Sequence, residues 1–366
     1  MRRFFQLFAL LVSLLIEPAV AGFVHPGVLH TQDDLVQIRK QVAAGREPWK
    51  SGFERLKADR HSSAVYRVQG GFREFGRKPG VNIREAENDC NAAYQNALMW
   101  VITGELAHAR KSIGIINRWS STLEEITGRD RILAAGICGI KFAAAAEILR
   151  YTRSGWEPSD VRRAERMLRD VFYPVVEDFA LRSNGNWGAA CVQTMMAIGV
   201  FTNDEEMFRK AVDWYRNGAG NARLTHYVIN AEGQCQESGR DQQHAQLGLG
   251  YLAASAQIAW CQGVDLYGAE DNRLLKGFEY TARYNLGGDV PFEETTDTSG
   301  KYHHTRISDE GRGRLRPIYE MVYHHYVHVK GLEAPWTGKA VERIRPEGPQ
   351  RGADHLGFGT VLFSRR

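Results

Sequence analysis

The sequence has 366 residues, of which 43% are hydrophobic and 25% are charged, and its formal net charge at pH 7 is +4. This composition is typical of a globular protein with a large core, and it excludes a disordered chain. The basic residues are scattered and no aromatic–basic nucleic-acid motif is present. The small positive charge therefore favours acidic partners other than nucleic acid.

The first 21 residues have the pattern of a secretory signal peptide. Two arginines at positions 2–3 precede an apolar run over 4–16 and the small residues Ala-Val-Ala at 19–21. The run is too short to cross a bilayer comfortably, and no other segment reaches about 18 apolar residues. We therefore expect a secreted or periplasmic protein without membrane association, whose mature chain is a single domain over residues 22–366.

Apolar residues recur about every 3.6 positions through most of the chain, which predicts a mainly helical protein. The helices follow one another in pairs with short connections, so both a solenoid and a closed ring of helical hairpins around a central cleft fit the pattern. Only residues 223–228 and 357–363 are predicted to form short strands. The predicted helices cover residues 32–43, 47–58, 89–104, 105–122, 131–153, 159–182, 187–202, 204–217, 238–262, 270–286 and 314–330.

No cofactor or metal site is expected from the sequence. The five cysteines include no CxxC pair, and they suit either disulfides or buried free thiols. His324 and His328 are one helical turn apart, but no HExxH motif and no third ligand accompany them. GxSxG, Walker and GxGxxG signals are also absent from any suitable context.

The most informative segment contains Glu237, Arg240, Asp241 and His244, which recur at i, i+3, i+4 and i+7. On a helix, side chains at this spacing lie along one face. The residues that follow, up to Trp260, are largely apolar and Ala-rich. We predict a helix that begins with a charged stripe and continues into the core, so that the stripe lines a polar cavity in which the chemistry takes place.

Three further segments supply candidate site residues. Asn186 and Trp187 separate two predicted helices, where Asn186 is either an N-cap or, beside an indole that can stack on a sugar, part of a cleft. Asn91 and Tyr94 share one helix face and either form buried hydrogen bonds or line the same cavity. Tyr302 lies in a polar loop next to two histidines, and this loop is either solvated or contributes a group for proton transfer.

Taken together, six motifs resemble the alginate-lyase-type helical-toroid polysaccharide lyases, with polysaccharide lyase family 38 as the closest match. The resemblance covers nearly the whole mature chain. It implies an all-α fold, an incomplete (α/α) toroid, that cleaves β-1,4-linked uronates (glucuronan or mannuronate-rich alginate) by β-elimination to 4,5-unsaturated ends. The motifs are His25-Pro-Gly-Val-Leu-His, Asn91-Ala-Ala-Tyr-Gln-Asn-Ala, Asn186-Trp-Gly, Glu237-Ser-Gly-Arg-Asp-Gln-Gln-His, Arg316-Pro-Ile-Tyr-Glu and Asp354-His-Leu-Gly-Phe-Gly-Thr.

In relatives of this kind an Asn, a His, an Arg and a Tyr surround the scissile linkage, which implies Asn186, His244, Arg240 and Tyr302 as the catalytic residues. Asn186 and Arg240 would stabilise the enediolate formed next to the uronate carboxylate. Tyr302 would protonate the leaving O4, and either His244 or Tyr302 would take the C5 proton. The residues expected to contact the acidic polysaccharide are Asn91, Tyr94, Trp187, Glu237, Arg306 and Arg316.

Two other functions remain open at this point. A glycoside hydrolase on a helical toroid would need two carboxylates on either side of the bond, and Glu237 with Asp241 is one available pair. A non-catalytic protein that binds acidic glycans would keep Trp187 and the basic cleft but would not require His244 and Tyr302. The sequence does not indicate an oligomeric state.

Overall fold

The computed structural model describes residues 22–349 and 353–365, so the expected signal peptide over 1–21 lies outside the described residues. The helices, in chain order, are α1 (Gln32–Ala43), α2 (Trp49–Lys57), α3 (Ile83–Thr103), α4 (Leu106–Ser120), α5 (Arg131–Tyr151), α6 (Pro158–Arg166), α7 (Tyr173–Val176), α8 (Gly185–Thr202), α9 (Glu205–Asn217), α10 (Leu224–Tyr227), α11 (Gln242–Cys261), α12 (Ala269–Asn285), α13 (Tyr319–His324), α14 (Pro335–Ile344) and α15 (Gly359–Phe363). Four short strands form two pairs, namely β1 (Glu74–Gly76) with β2 (Glu125–Thr127) in parallel and β3 (Thr295–Thr296) with β4 (His303–His304) in antiparallel orientation.

Helices α3, α5, α8 and α11 pack side by side and form the inner layer of the ring. Small residues allow the closest approach. A Cβ on Gly136 of α5 would lie 2.7 Å from the Cβ of Ala190 in α8, and a Cβ on Gly139 would lie 2.6 Å from Cγ2 of Thr194. Because these contacts advance together along both helices, α5 and α8 are parallel, and their N-termini lie at the same end of the ring.

An outer layer covers these inner helices, because α4 packs on α3, α9 on α8 and α12 on α11. The alternation of inner and outer helices confirms the predicted all-α toroid of hairpins. Helix α5 is apolar and long enough to cross a membrane, but 94% of its most apolar 18-residue window is buried inside the protein, as expected for a core helix.

The segment formed by residues 24–28 closes the opposite end of the ring. The Val24 backbone N–H donates to Gln262 Oε1 at 2.9 Å, directly after the C-terminus of α11. His25 Nδ1 lies 2.6 Å from Glu147 in α5, and its Nε2 lies 3.0 Å from Asn203 after α8. Residues 24–28 therefore lie across the C-terminal ends of three inner helices, and the N-terminal ends remain for a cleft.

Several predicted elements are wrong in detail. Both predicted strands are short helices, α10 and α15. Within one helical turn of α10, Leu224 and Tyr227 are both buried, and all residues of α15 are buried, so a helix suits both segments. Helix α3 begins six residues earlier than predicted. The helix predicted over 159–182 is interrupted by π-helical turns at Met167–Phe172, and α14 was not predicted. The four strands have two or three residues each, which is too short for a visible alternation.

Candidate active site

The charged segment does not lie on one helix. Helix α11 begins at Gln242, with Asp241 as its N-cap, whose side chain accepts from the His244 backbone N–H at 2.8 Å. Glu237 and Arg240 precede the helix in a turn, in which the Arg240 backbone N–H donates to the Glu237 carbonyl at 2.9 Å. The predicted helical stripe is therefore wrong, but the turn still brings the four side chains together.

Glu237 is fully buried and forms the centre of this cluster. Its Oε1 accepts from Asn186 Nδ2 at 2.7 Å and from Arg240 Nη1 at 2.8 Å, and its Oε2 accepts from the Asn186 backbone N–H at 3.1 Å. Burial raises the pKa of Glu237, although the charge of Arg240 and the hydrogen bonds from Asn186 act in the opposite direction. This carboxylate ties the start of α8 to the turn before α11.

The imidazole of His244 lies between a carboxylate and a guanidinium. Its Nδ1 is 2.6 Å from Asp241 Oδ2, and its Nε2 is 3.1 Å from Arg240 Nη2. Because a guanidinium can only donate, Nε2 acts as an acceptor, and the proton of the neutral ring lies on Nδ1 and is donated to Asp241. Burial would raise the pKa of Asp241, but the hydrogen bonds from His244 outweigh it and lower that pKa. The His244 side chain is 35% exposed.

Asn186 is fully buried at the second position of α8, so the interpretation as an N-cap is wrong, because Asn184 occupies that position. Its Nδ2 donates to Glu237, and its Oδ1 has no hydrogen-bond partner in the described part of the chain. In this structure the amide holds Glu237 in place and is not exposed to a ligand. The next residue, Trp187, is partly exposed and packs against the core.

The β3–β4 hairpin approaches the turn that carries Arg240. A Cβ on Gly239 would lie 2.4 Å from the Cβ of His304, so only glycine allows this contact. Strand alternation places Tyr302 on the same side of the hairpin as His304, with His303 on the opposite side. Burial, followed by the charges of His303 and Arg240, lowers the pKa of His304, and its buried Nε2 has no partner among the described residues.

The loop that presents Tyr302 is held by one carboxylate. Asp297 accepts from the backbone N–H groups of Lys301 and Tyr302, both at 2.8 Å, and from Asn221 Nδ2 at 2.7 Å. Burial would raise the pKa of Asp297, but these hydrogen bonds and those from Ser299 lower it to about 2. Asp297 is therefore an ionised structural acceptor and not a proton donor.

Asn91 and Arg316 lie deeper, where polar side chains from four parts of the chain meet. Asn91 Oδ1 accepts from Lys141 Nζ at 2.7 Å, and Arg316 Nη1 donates to Asp354 Oδ2 at 2.9 Å. Lys141 also donates to the backbone carbonyl of Ala353. The cavity next to Lys141 and Asp354 has a volume of only about 30 Å³, so little space remains beside these two side chains.

Tyr94 and Arg306, two further predicted contact residues, differ in exposure. Tyr94 is 1% exposed and belongs to the core, and its hydroxyl has no partner among the described residues, so the structure does not support its predicted contact with a substrate. Its position on α3 faces the neighbouring helices, because the inner helices are buried almost all round. Arg306 is exposed after the hairpin.

Sequence reasoning missed Lys141 in this region. Lys141 is the only charged residue between Arg131 and Glu147 in an otherwise apolar helix, and this isolated charge was a visible signal. His304 was noted only as a neighbour of Tyr302, because its contact with Gly239 joins residues 65 positions apart. The five cysteines are all free and buried, and no group of three His, Cys, Asp or Glu side chains in residues 22–349 and 353–365 could hold a metal ion.

The arrangement can remove a proton next to a carboxylate. It combines an oriented imidazole with a basic Nε2, a half-buried guanidinium and the N-terminal ends of two inner helices, which favour negative charge. It fits a hydrolase poorly, because Glu237 is enclosed by Asn186 and Arg240, and Asp241 is occupied by His244.

The comparisons with known proteins agree with this chemistry. The family model described as alginate lyase matches residues 63–291. An alginate lyase from Bacteroides ovatus superposes with a TM-score of 0.62 at 11% identity, over 94% of this chain and 100% of that chain. Alginate lyase A1-III from Sphingomonas species A1 gives 0.63 at 15% identity, over 94% and 98%.

A variant of A1-III in complex with a tetrasaccharide gives a TM-score of 0.62 at 16% identity, over 91% of this chain and 94% of that chain. No curated protein is significantly similar to this chain in sequence. At these identities the solved structures show the fold alone, whereas the family model covers more than half of the sequence. The chain belongs to the alginate lyase family and is a polysaccharide lyase.

Proposed function

We propose that this enzyme cleaves β-1,4-linked polyuronates, either glucuronan or mannuronate-rich alginate, by β-elimination and leaves a 4,5-unsaturated uronate at the new end. Membership of the alginate lyase family supports an acidic polysaccharide as substrate. The tetrasaccharide bound to A1-III supports an oligosaccharide as the ligand of this fold.

The proposal depends mainly on the row formed by Asp241, His244 and Arg240. Asp241 accepts the Nδ1 proton of His244, so the Nε2 lone pair can abstract the C5 proton, and Asp241 stabilises the imidazolium that forms. Arg240 lies 3.1 Å from that lone pair. When a uronate carboxylate binds to Arg240, the guanidinium turns to it and releases Nε2.

The proposed reaction then proceeds through an enediolate. Arg240 neutralises the carboxylate, the C5–H bond breaks, and its electron pair forms the enediolate, whose charge the guanidinium and the α8 and α11 N-termini stabilise. Collapse of the enediolate forms the C4–C5 double bond and breaks the C4–O4 bond, and Tyr302 gives its hydroxyl proton to O4. Tyr302 remains the alternative base on the opposite face of the sugar.

Glu237 and Asn186 act as positioning residues in this scheme. Glu237 holds one side of the Arg240 guanidinium, and Asn186 holds Glu237 through its amide and its backbone N–H. A direct contact of Asn186 with the substrate would require Nδ2 to leave Glu237. Trp187 and Arg306, which are partly or fully exposed, are the proposed substrate contacts at the rim.

Substrate panels test this function directly. The purified protein is incubated with glucuronan, polymannuronate, polyguluronate, hyaluronan and pectate, and the ultraviolet absorbance of the conjugated double bond is followed. We expect a rise with glucuronan or polymannuronate, and hydrolysis would produce new reducing ends without this absorbance. No rise with any of the five polymers would overturn the proposal.

We also propose that the protein is exported, with Gly22 as its first mature residue. The mass of the protein recovered outside the cytoplasm tests this, because an intact chain starting at Met1 contradicts it.

A further inference from the structure

The outer surface of the ring carries a second groove, between helix α4 and the extended segment 64–70. Its volume is about 740 Å³. On the helix side it is lined by residues at helical spacing, which therefore lie on one face of α4. These residues are Ala107, Arg110, Lys111, Gly114 and Arg118.

A buried carboxylate fixes the opposite wall of the groove. Asp89, which is 0% exposed, accepts from the Tyr66 hydroxyl at 2.8 Å, from the backbone N–H of Gln69 at 3.1 Å and from that of Gly70 at 2.8 Å. Trp119 Nε1 donates to it at 2.8 Å. The wall is therefore held to α3 and α4, and Asp89 lies beneath the surface with its hydrogen bonds satisfied.

The groove itself is lined by three cations and no acidic residue. Lys111 Nζ donates to the Tyr66 carbonyl at 2.7 Å, and Arg118 Nε donates to the Gly70 carbonyl at 3.3 Å, so each retains further N–H groups. Arg110 is exposed and has no hydrogen-bond or ion-pair partner in the described part of the chain. The groove therefore offers unused cationic donors along its length.

Apolar surface accompanies these charges. Gly114 has no atom within 4 Å of the position of a Cβ, so the floor of the groove is open above it. Next to the lining residues, Val65 is 88% exposed and Leu106 is 48% exposed. A sugar acid presents the matching combination, because its ring carries apolar C–H faces and its carboxylate carries the charge.

We propose that this groove binds an acidic polysaccharide, namely a distal stretch of the polymer whose cleavage is proposed above, and the inference rests on that proposed function. Arg110 and Arg118 are separated by about 12 Å along the helix axis, which suits a linear polyanion better than a single small anion. The Gly70 end adjoins Asp89 near the N-terminus of α3, at the ring end that carries the candidate active site. A polymer held at both places gains affinity through effective concentration.

The test compares long and short substrates. In the double variant Arg110→Glu/Arg118→Glu we expect the KM for the polymer to rise by about 10-fold, as expected when the second of two linked contacts is lost. The kcat and KM for a tetrasaccharide of the same uronate should not change. The matched control is Arg162→Glu/Arg166→Glu, which makes the same charge change at exposed positions of the outer helix α6.

A steric variant guards against misfolding of the charge variant. Gly114→Phe fills the open floor, and replacing a mid-helix glycine also favours the helix, so this variant should fold and still weaken polymer binding. Electrophoresis in gels that contain polyuronate measures binding without turnover, with dextran as the neutral control. Equal retardation of wild type and both groove variants overturns the inference even if the polymer is cleaved. Retardation that is lost in the groove variants supports it even if no polymer is cleaved, in which case only the proposed function fails.

Discussion

Two clusters in this protein combine the same three residue types and use them differently. The first is Glu237, Arg240 and His244, and the second is Glu320, His324 and Arg345. In both, the glutamate is fully buried and contacts the arginine within 2.8 Å. In both, the histidine follows the glutamate in the sequence, by seven residues in the first cluster and by four in the second. The identity of the residues therefore does not decide between chemistry and structure.

The second cluster is closed. Arg345 donates two parallel hydrogen bonds to Glu320, at 2.7 and 2.8 Å, and His324 Nε2 donates a third at 2.9 Å. The other ring nitrogen of His324 accepts from the Arg365 backbone N–H, and the side chain is only 5% exposed. Burial would raise the pKa of Glu320, but these bonds and the Thr360 hydroxyl lower it to about 2.

The first cluster is left open. Its histidine is 35% exposed, and among the described residues the only group on its Nε2 is a guanidinium that a ligand carboxylate can displace. Its glutamate has a raised pKa, because burial outweighs the stabilising partners. The first cluster therefore keeps a buried carboxylate with a raised pKa, whereas the second cluster, near the C-terminus, is fully hydrogen-bonded. This difference agrees with the view that unsatisfied buried groups mark functional sites.

The largest expected effect separates the two histidines. His244→Asn should lower kcat by about 10²–10⁴-fold, since it removes the general base, while its melting temperature stays close to that of the wild type. His324→Asn should lower the melting temperature and leave kcat close to that of the wild type, because the His324 ring bonds only to other groups of the protein. Steady-state kinetics and thermal denaturation of both variants test this contrast between a catalytic and a structural histidine. Full activity of His244→Asn would contradict it.

The next effect concerns the stability provided by Glu320. Its folded pKa of about 2 lies below the ordinary glutamate value of 4.5, so its contribution of about 3 kcal/mol is present above pH 4.5 and is lost as the pH falls towards 2. Glu320→Gln should therefore be less stable than the wild type at pH 7, and the two free energies of unfolding should converge near pH 2. Denaturant titrations over this range measure it, and a gap independent of pH would contradict the assignment.

The smallest effect on stability is expected for Glu237→Gln. Because the folded pKa of Glu237 is raised, its contribution to the free energy of unfolding is present below the unfolded pKa and is lost as the pH rises through the folded pKa. The ionised group therefore stabilises the fold little at pH 7. The variant should unfold at nearly the wild-type denaturant concentration but turn over more slowly, because Arg240 loses its anchor. A loss of stability as large as that of Glu320→Gln would remove the contrast between the clusters.

The sequence predicts the ring well and the site in part. The bounds of α1 match the prediction because Thr31 caps it and its apolar spacing is regular. The cluster around His244 was found from residue spacing, although the true geometry is a turn and an N-cap. The packing of the β3–β4 hairpin against Gly239 could not be predicted, because it depends on a contact between segments that are distant in the sequence. The burial of Tyr94 could not be predicted, because polar and core faces of an inner helix share the same spacing.

The contacts of residues 24–28 have a consequence for folding. Val24 and Gly27 bond to Gln262, which follows them by 238 and 235 residues, so the ring cannot be completed until that glutamine has been synthesised. Contacts of such long range delay folding. Residues 24–28 can therefore take their final place only after α11 has formed, and the finished ring then holds this segment across its end.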